Sequence, residues 1–113
     1  MHTASRISLV VLVAISTVSL QLFAAEPRQD GGYSFSGGDG STLNAAVIVH
    51  ARDEAVGIRA EYAWIKEHWP GFRRGKQGLI TENNRLYDAL TITDSASQER
   101  TLYFDITEYF GKL

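Results

Sequence analysis

The residues of this chain able to do more than pack are few: two of its three histidines, one carboxylate out of pattern, one of its two tryptophans and a glycine-rich segment. His50 and His68 fall on different expected elements, and neither belongs to a His-x-x-x-His pair of the kind that holds zinc on a helix. His68 follows Glu67 and lies one turn after Trp64, as a helix-surface histidine would, near a C-terminus where the helix dipole favours it. Neither has an evident partner for general-base or metal work. The chain contains no cysteine, which removes thiol catalysis, thiolate metal sites and disulfides. The expectation is therefore no metal and no cofactor.

Asp88 breaks the alternation of its segment. It shares a side with Leu86, Leu90 and Ile92, the expected core face, where a carboxylate must be paired or sit at the rim. It reads as a salt-bridge partner of Arg85, Arg100 or another strand neighbour, as a bulge that turns outward, or as a buried acid in a cleft between helix and sheet. Trp64 is the surface candidate. At 100° per residue it lies nearly opposite the stripe Ile58, Tyr62, Ile65, beside Gly57, Ala60 and His68. Small neighbours around an outward tryptophan would leave an accessible apolar patch, unless the amino-terminal segment covers it. The candidate binding set is thus Trp64, His68, Gly57, Ala60 and Asp88.

Two further segments carry weaker chemistry. Gly37-Gly38-Asp39-Gly40-Ser41 lacks the lysine a phosphate loop requires and the several acids a calcium loop requires, so it reads as linker. Arg73, Arg74, Lys76 and Arg85 form a basic hairpin edge, which protects a strand from pairing with other chains or meets an acidic partner.

The elements that must position these residues follow from spacing. Residues 43–50, centred on Ala45-Ala46-Val47-Ile48-Val49, favour a strand, the alternative being a helix that runs unbroken into the next segment. Asp53 offers an N-cap and Glu54 a negative charge in the first helical turn. Ala55, Ile58, Tyr62, Ile65 and Trp69 recur every three or four residues, as one face of a helix, and Pro70-Gly71 ends it. Residues 72–81 form a strand in which Gly75 and Gly78 indicate a bend, bulge or edge. Glu82-Asn83-Asn84 turns tightly, since asparagine tolerates the left-handed backbone. Strands over 85–93 and 99–106 follow, with a polar turn between, and Thr107-Glu108-Tyr109-Phe110-Gly111 closes the chain with its aromatics over the core edge. The fold class is α+β: one amphipathic helix packed on a three- to four-stranded antiparallel sheet, in the order β-α-β-β-β and with a cystatin-like shape. Such a shape licenses no activity. A cystatin-type inhibitory loop, Gln-x-Val-x-Gly, is absent.

Residues 1–25 have the three zones of a secretory signal. Arg6 lies before an unbroken apolar core over 9–15, and Ala24 and Ala25 supply the small side chains a signal peptidase needs, with Leu22 or Phe23 an imperfect third residue back. Residues 26–42 read as a Gly-rich flexible linker and 43–113 as a single domain. Cleavage leaves 88 residues, one small core without disulfide support. The signal removes one of the 11 basic residues and none of the 13 acids, so the product carries a net charge of −3 and makes a poor nucleic-acid ligand. No membrane anchor survives the cut, and lipid attachment has no cysteine to use.

From about residue 37 to residue 112 the chain resembles small exported bacterial proteins of uncharacterised function. The resemblance rests on Gly-Gly-Asp-Gly-Ser at 37–41, Glu61-Tyr62-Ala63-Trp64, His68-Trp69-Pro70-Gly71 and Tyr103-Phe104-Asp105-Ile106 with Phe110-Gly111-Lys112. It implies a bacterial envelope location, periplasmic or secreted, and no activity. The functional expectation is a non-catalytic envelope module that binds a protein or small ligand. The alternatives are an inhibitor of an exported hydrolase and a small enzyme using Asp88 with His50 or His68.

Overall fold

The computed structural model describes residues 31–113; the expected signal segment, its cleavage point and residues 26–30 lie outside the described residues. The helix, α1, spans Glu54–His68 and begins as its sequence dictates. Asp53 is extended, and its Oδ1 accepts from the Val56 amide at 2.9 Å, satisfying a donor that the first turn leaves without an intrahelical partner. At the other end Trp69 N–H reaches Ile65 O at 2.7 Å, and Gly71 takes a left-handed φ of +82° that glycine adopts without steric cost.

Five strands form one sheet: β1 (Ser34–Gly37), β2 (Val47–His50), β3 (Arg73–Glu82), β4 (Arg85–Thr93) and β5 (Glu99–Asp105). Their order is β1-β2-β5-β4-β3. The β3–β4–β5 meander is antiparallel as expected, with Asn83 and Asn84 at φ +52° and +62° in the hairpin turn. β3 takes the edge, and its register slips between Arg74 and Gln77. Gly75 lies in that slip, where a Cβ would stand 2.6 Å from Thr91 O.

The sheet departs from expectation in two respects. It is mixed, not purely antiparallel, because β2 runs parallel to β5. A parallel neighbour requires a long crossover, and α1 with the β3–β4 hairpin supplies it; the all-antiparallel, cystatin-like sheet is not what forms. It also has a fifth strand, drawn from the glycine-rich stretch. Ser34–Gly37 pairs with β2. Beyond it, Gly38 N–H bonds to Ala46 O at 3.0 Å, and Gly40 O accepts from Tyr103 N–H at 2.9 Å. These bonds hold residues 34–40 against the sheet, in a segment whose composition reads as flexible linker.

α1 covers one sheet face, and the face it buries is not the expected stripe. Val56, Gly57, Ala60, Glu61, Trp64 and Ile65 are buried, while Ala55 is exposed and Ile58 is 46% exposed. The helix is rotated by about a third of a turn from the apolar reading. Its cause is steric. Tyr109, 1% exposed, lies on Gly57 so closely that a Cβ there would meet the ring at 2.4 Å. Helix and closing turn approach through Gly57, and the residues that share its face, Ala60, Glu61 and Trp64, follow it inward. Phe110, the other aromatic of the turn, stays 42% exposed. The core gathers Val47, Val49, Phe104, Leu102, Ile92 and Ile65 among others.

Candidate binding cleft

A cleft of about 660 Å³ opens between residues 38–41, the C-terminal end of α1 and the first half of β5. That volume lies within the range of about 300–1,000 Å³ usual for small-ligand sites. Trp64, His68 and Trp69 form its aromatic wall, and Asp39, Ser41, Glu99, Arg100 and Thr101 supply its polar groups.

Each wall is held by contacts of its own. The Trp64 indole meets Phe104 edge-on at 5.5 Å, while the His68 ring stacks on it at 3.8 Å. His68 Nδ1–H donates to Trp64 O at 2.8 Å; a carbonyl only accepts, so in the neutral ring Nε2 is the acceptor. Arg100 lies over the Trp69 ring, 4.5 Å from its centre, and its Nε donates to Asp94 Oδ2 at 2.7 Å. Asp94 is held in turn by the amides of Ala96 and Gln98, both at 2.9 Å. The Arg100 guanidinium and these amides keep the Asp94 carboxyl below the usual carboxylate range. Across the cleft Asp39 accepts from the hydroxyl and amide of Ser41, which likewise lower its pKa. The cleft therefore presents anionic Asp39 beside an aromatic wall and a guanidinium whose position is set in advance.

The candidate residues separate into two places. Trp64 and His68 line the cleft, but Trp64 is not an open apolar patch: it is 7% exposed, part of the core, with His68 as its lid. The amino-terminal segment comes across it, as the alternative reading held, with Gly40 beside the Trp64 ring. Gly57 and Ala60 are buried under the closing turn, not beside an accessible tryptophan. Asp88 is buried, as its strand alternation required, but outside the cleft. Its neighbours are Glu61 and Tyr109, together with Gln77 Nε2 at 3.3 Å from Oδ1. Neither Arg85 nor Arg100 pairs with it; they close on Asp105 and Asp94.

Sequence reasoning missed Asp39, Ser41, Trp69, Glu99, Arg100 and Thr101 of the cleft, and it missed Glu61 beneath the closing turn. Glu61 is 1% exposed, and its Oε2 has no hydrogen-bond partner among the described residues; nor has the Tyr109 hydroxyl. Burial first, then the adjacent Asp88 carboxyl, pushes Glu61 up to about 10, so it is protonated and neutral at physiological pH. Burial and the same two carboxyls also raise the Tyr109 phenol. A signal was present: Gly57, Ala60, Glu61 and Trp64 share a helix face whose small residues mark a close approach, and Glu61 lies in the middle of it.

The pairing of Asp88 with a histidine is not assembled. Asp88 is in register with Phe104, on the helix-covered face. His50 alternates with buried Val47 and Val49 and so lies on the opposite face. His68 belongs to the cleft, which Asp88 does not line. Of the basic edge, Arg74 stacks on Tyr62 at 3.9 Å and Arg85 bonds Asp105 Oδ2 at 2.6 Å. No group of three or more His, Asp or Glu side chains among the described residues could hold a metal, and no described helix is long and apolar enough to cross a membrane.

Comparison of the chain with protein-family models, with curated proteins and with solved structures finds no match in any of the three.

Proposed function

We propose that this chain is an exported binding module of the bacterial envelope whose cleft takes a small polyhydroxylated ligand, with no chemistry performed there. The observation that carries this reading is the cleft itself: an aromatic wall of Trp64, His68 and Trp69 facing Asp39, Glu99, Arg100 and Thr101. The C–H faces of a sugar ring pack against indole, and its hydroxyls match carboxylate acceptors and guanidinium donors. The signal-like residues 1–25 support export, and an envelope is rich in saccharides. Arg100, fixed by Asp94 and Trp69, loses little freedom on binding, which favours affinity.

Titration of tryptophan emission tests the proposal, with a neutral amino-sugar disaccharide as one probe and a uronic-acid disaccharide as the other. A saturable change with either, weakened at least about tenfold in Trp69→Ala, is expected, corresponding to about 1.4 kcal/mol. No saturable change with either probe up to millimolar concentration sinks the reading.

A further inference from the structure

Outside the cleft, on the sheet face that α1 does not cover, three polar side chains from three parts of the chain form a hydrogen-bonded line. Ser36 Oγ lies 2.7 Å from His50 Nε2, and His50 Nδ1 lies 2.9 Å from Glu108 Oε1. The protons in this line are fixed by chemistry. A carboxylate only accepts, so Nδ1 carries the hydrogen; the Nε2 lone pair of the neutral ring then faces Ser36, whose hydroxyl must donate. That is the arrangement of nucleophile, base and orienting acid used in acyl transfer. It is also accessible, since Ser36 is exposed and the His50 and Glu108 side chains are 31% and 44% exposed. Packing does not require it: Ser36 is on the edge strand, and Glu108 comes from the closing turn 58 residues after His50.

We propose that Ser36 is an activated nucleophile, with His50 as its general base and Glu108 as the positioning residue, acting on activated acyl esters. Ser36 Oγ bonds to the acyl carbon while its proton passes to His50 Nε2. The ester C–O bond breaks, and the leaving alkoxide takes the proton from His50. Water then attacks the acyl-Ser36 ester, again giving its proton to His50, and the carboxylic acid departs as Ser36 regains its hydrogen. A positioned base contributes about 10²–10⁴-fold, and the open face places no cavity wall on the acyl group, so the site favours esters with good leaving groups.

The probe is an alkyl fluorophosphonate applied to the full-length chain. Its P–F bond breaks as the Ser36 Oγ–P bond forms, fluoride leaves, and the hydroxyl proton goes to His50. Peptide mass spectrometry is expected to place the adduct on Ser36 at a rate at least about tenfold above that on exposed Ser97, a margin well inside what base assistance supplies. His50→Gln should abolish that preference, Glu108→Gln should reduce it, and Glu108→Asp should recover part of it, all with unchanged melting temperatures. Labelling of Ser36 no faster than Ser97, no adduct at all, or undiminished labelling in His50→Gln overturns the proposal.

Discussion

The two halves of α1 meet the same sheet under opposite conditions. The amino-terminal half is shut: Gly57 and Glu61 lie beneath Tyr109 with Ala60 buried on the same face, and the two carboxyls there, Glu61 and Asp88, have no cation against them among the described residues. The carboxy-terminal half opens into the cleft, where Asp94, in the turn between β4 and β5, is closed by Arg100 and two backbone amides. The two carboxyls thus reach opposite charge states. Desolvation dominates at the deeper Glu61, while at Asp94 the donors that hold the anion outweigh it. Glu61 resolves its burial by staying neutral, Asp94 by being bonded.

This contrast can be broken by pH. An unfolded Glu61 ionises near 4.5 but the folded one near 10. Between those values the unfolded chain has released a proton that the native chain keeps, so the stability this group contributes is full below about 4.5 and declines as pH rises, by about 1.4 kcal/mol per unit. The expected loss between about pH 4.5 and 7 is about 3 kcal/mol, read from urea midpoints. Glu61→Gln, which has the shape of the neutral acid, should flatten that slope; an unchanged slope would mean Glu61 is ionised in the native state.

Gly57→Ala sharpens the steric side of the same contrast. In an exposed helix it would stabilise by about 1 kcal/mol; here the added methyl meets Tyr109, and a destabilisation of about 1–3 kcal/mol is expected. A raised melting temperature would show that the closing turn is not seated on the helix. At the open end the sign with pH reverses. The Asp94 pKa is lowered, so its contribution is present above the ordinary carboxylate range and lost as pH falls through its depressed value. Asp94→Asn should lower the melting temperature near neutrality, with the gap to the parent chain closing in strong acid. His68→Ala should be the mildest change, about 1 kcal/mol or less for loss of the stack on Trp64, with the tryptophan emission shifting as water reaches the indole.

The boundaries of the helix and the meander were legible because their signals are local. Asp53 caps, Pro70-Gly71 terminates, Asn83-Asn84 turns, and the β4 alternation placed Asp88 inward. What escaped depended on partners distant in sequence. Ser34–Gly37 has too few apolar residues to announce a strand, and only the neighbouring β2 makes it one. The parallel union of β2 and β5 joins residues more than fifty positions apart, beyond the reach of any periodicity. The buried helix face differs from the apolar stripe because close approach follows side-chain size as well as hydrophobicity: Ile58, in the stripe, is exposed, and the shape of Tyr109 draws Gly57 and its face inward. Trp64, with Gly40 of the amino-terminal segment beside its ring, is the covered floor of the cleft.

The parallel union of β2 with β5 also sets an order of events in time. β2 has only the short β1 beside it until β5, which ends at Asp105, has been made. Tyr109 and the Glu54 amide's bond to Lys112 O, at 2.8 Å, come later still. Contacts of such long sequence separation slow folding, so without residues 102–113 the domain has no finished core to collapse around. Were the chain exported as proposed, that delay would keep the polypeptide unfolded while it is threaded through a membrane.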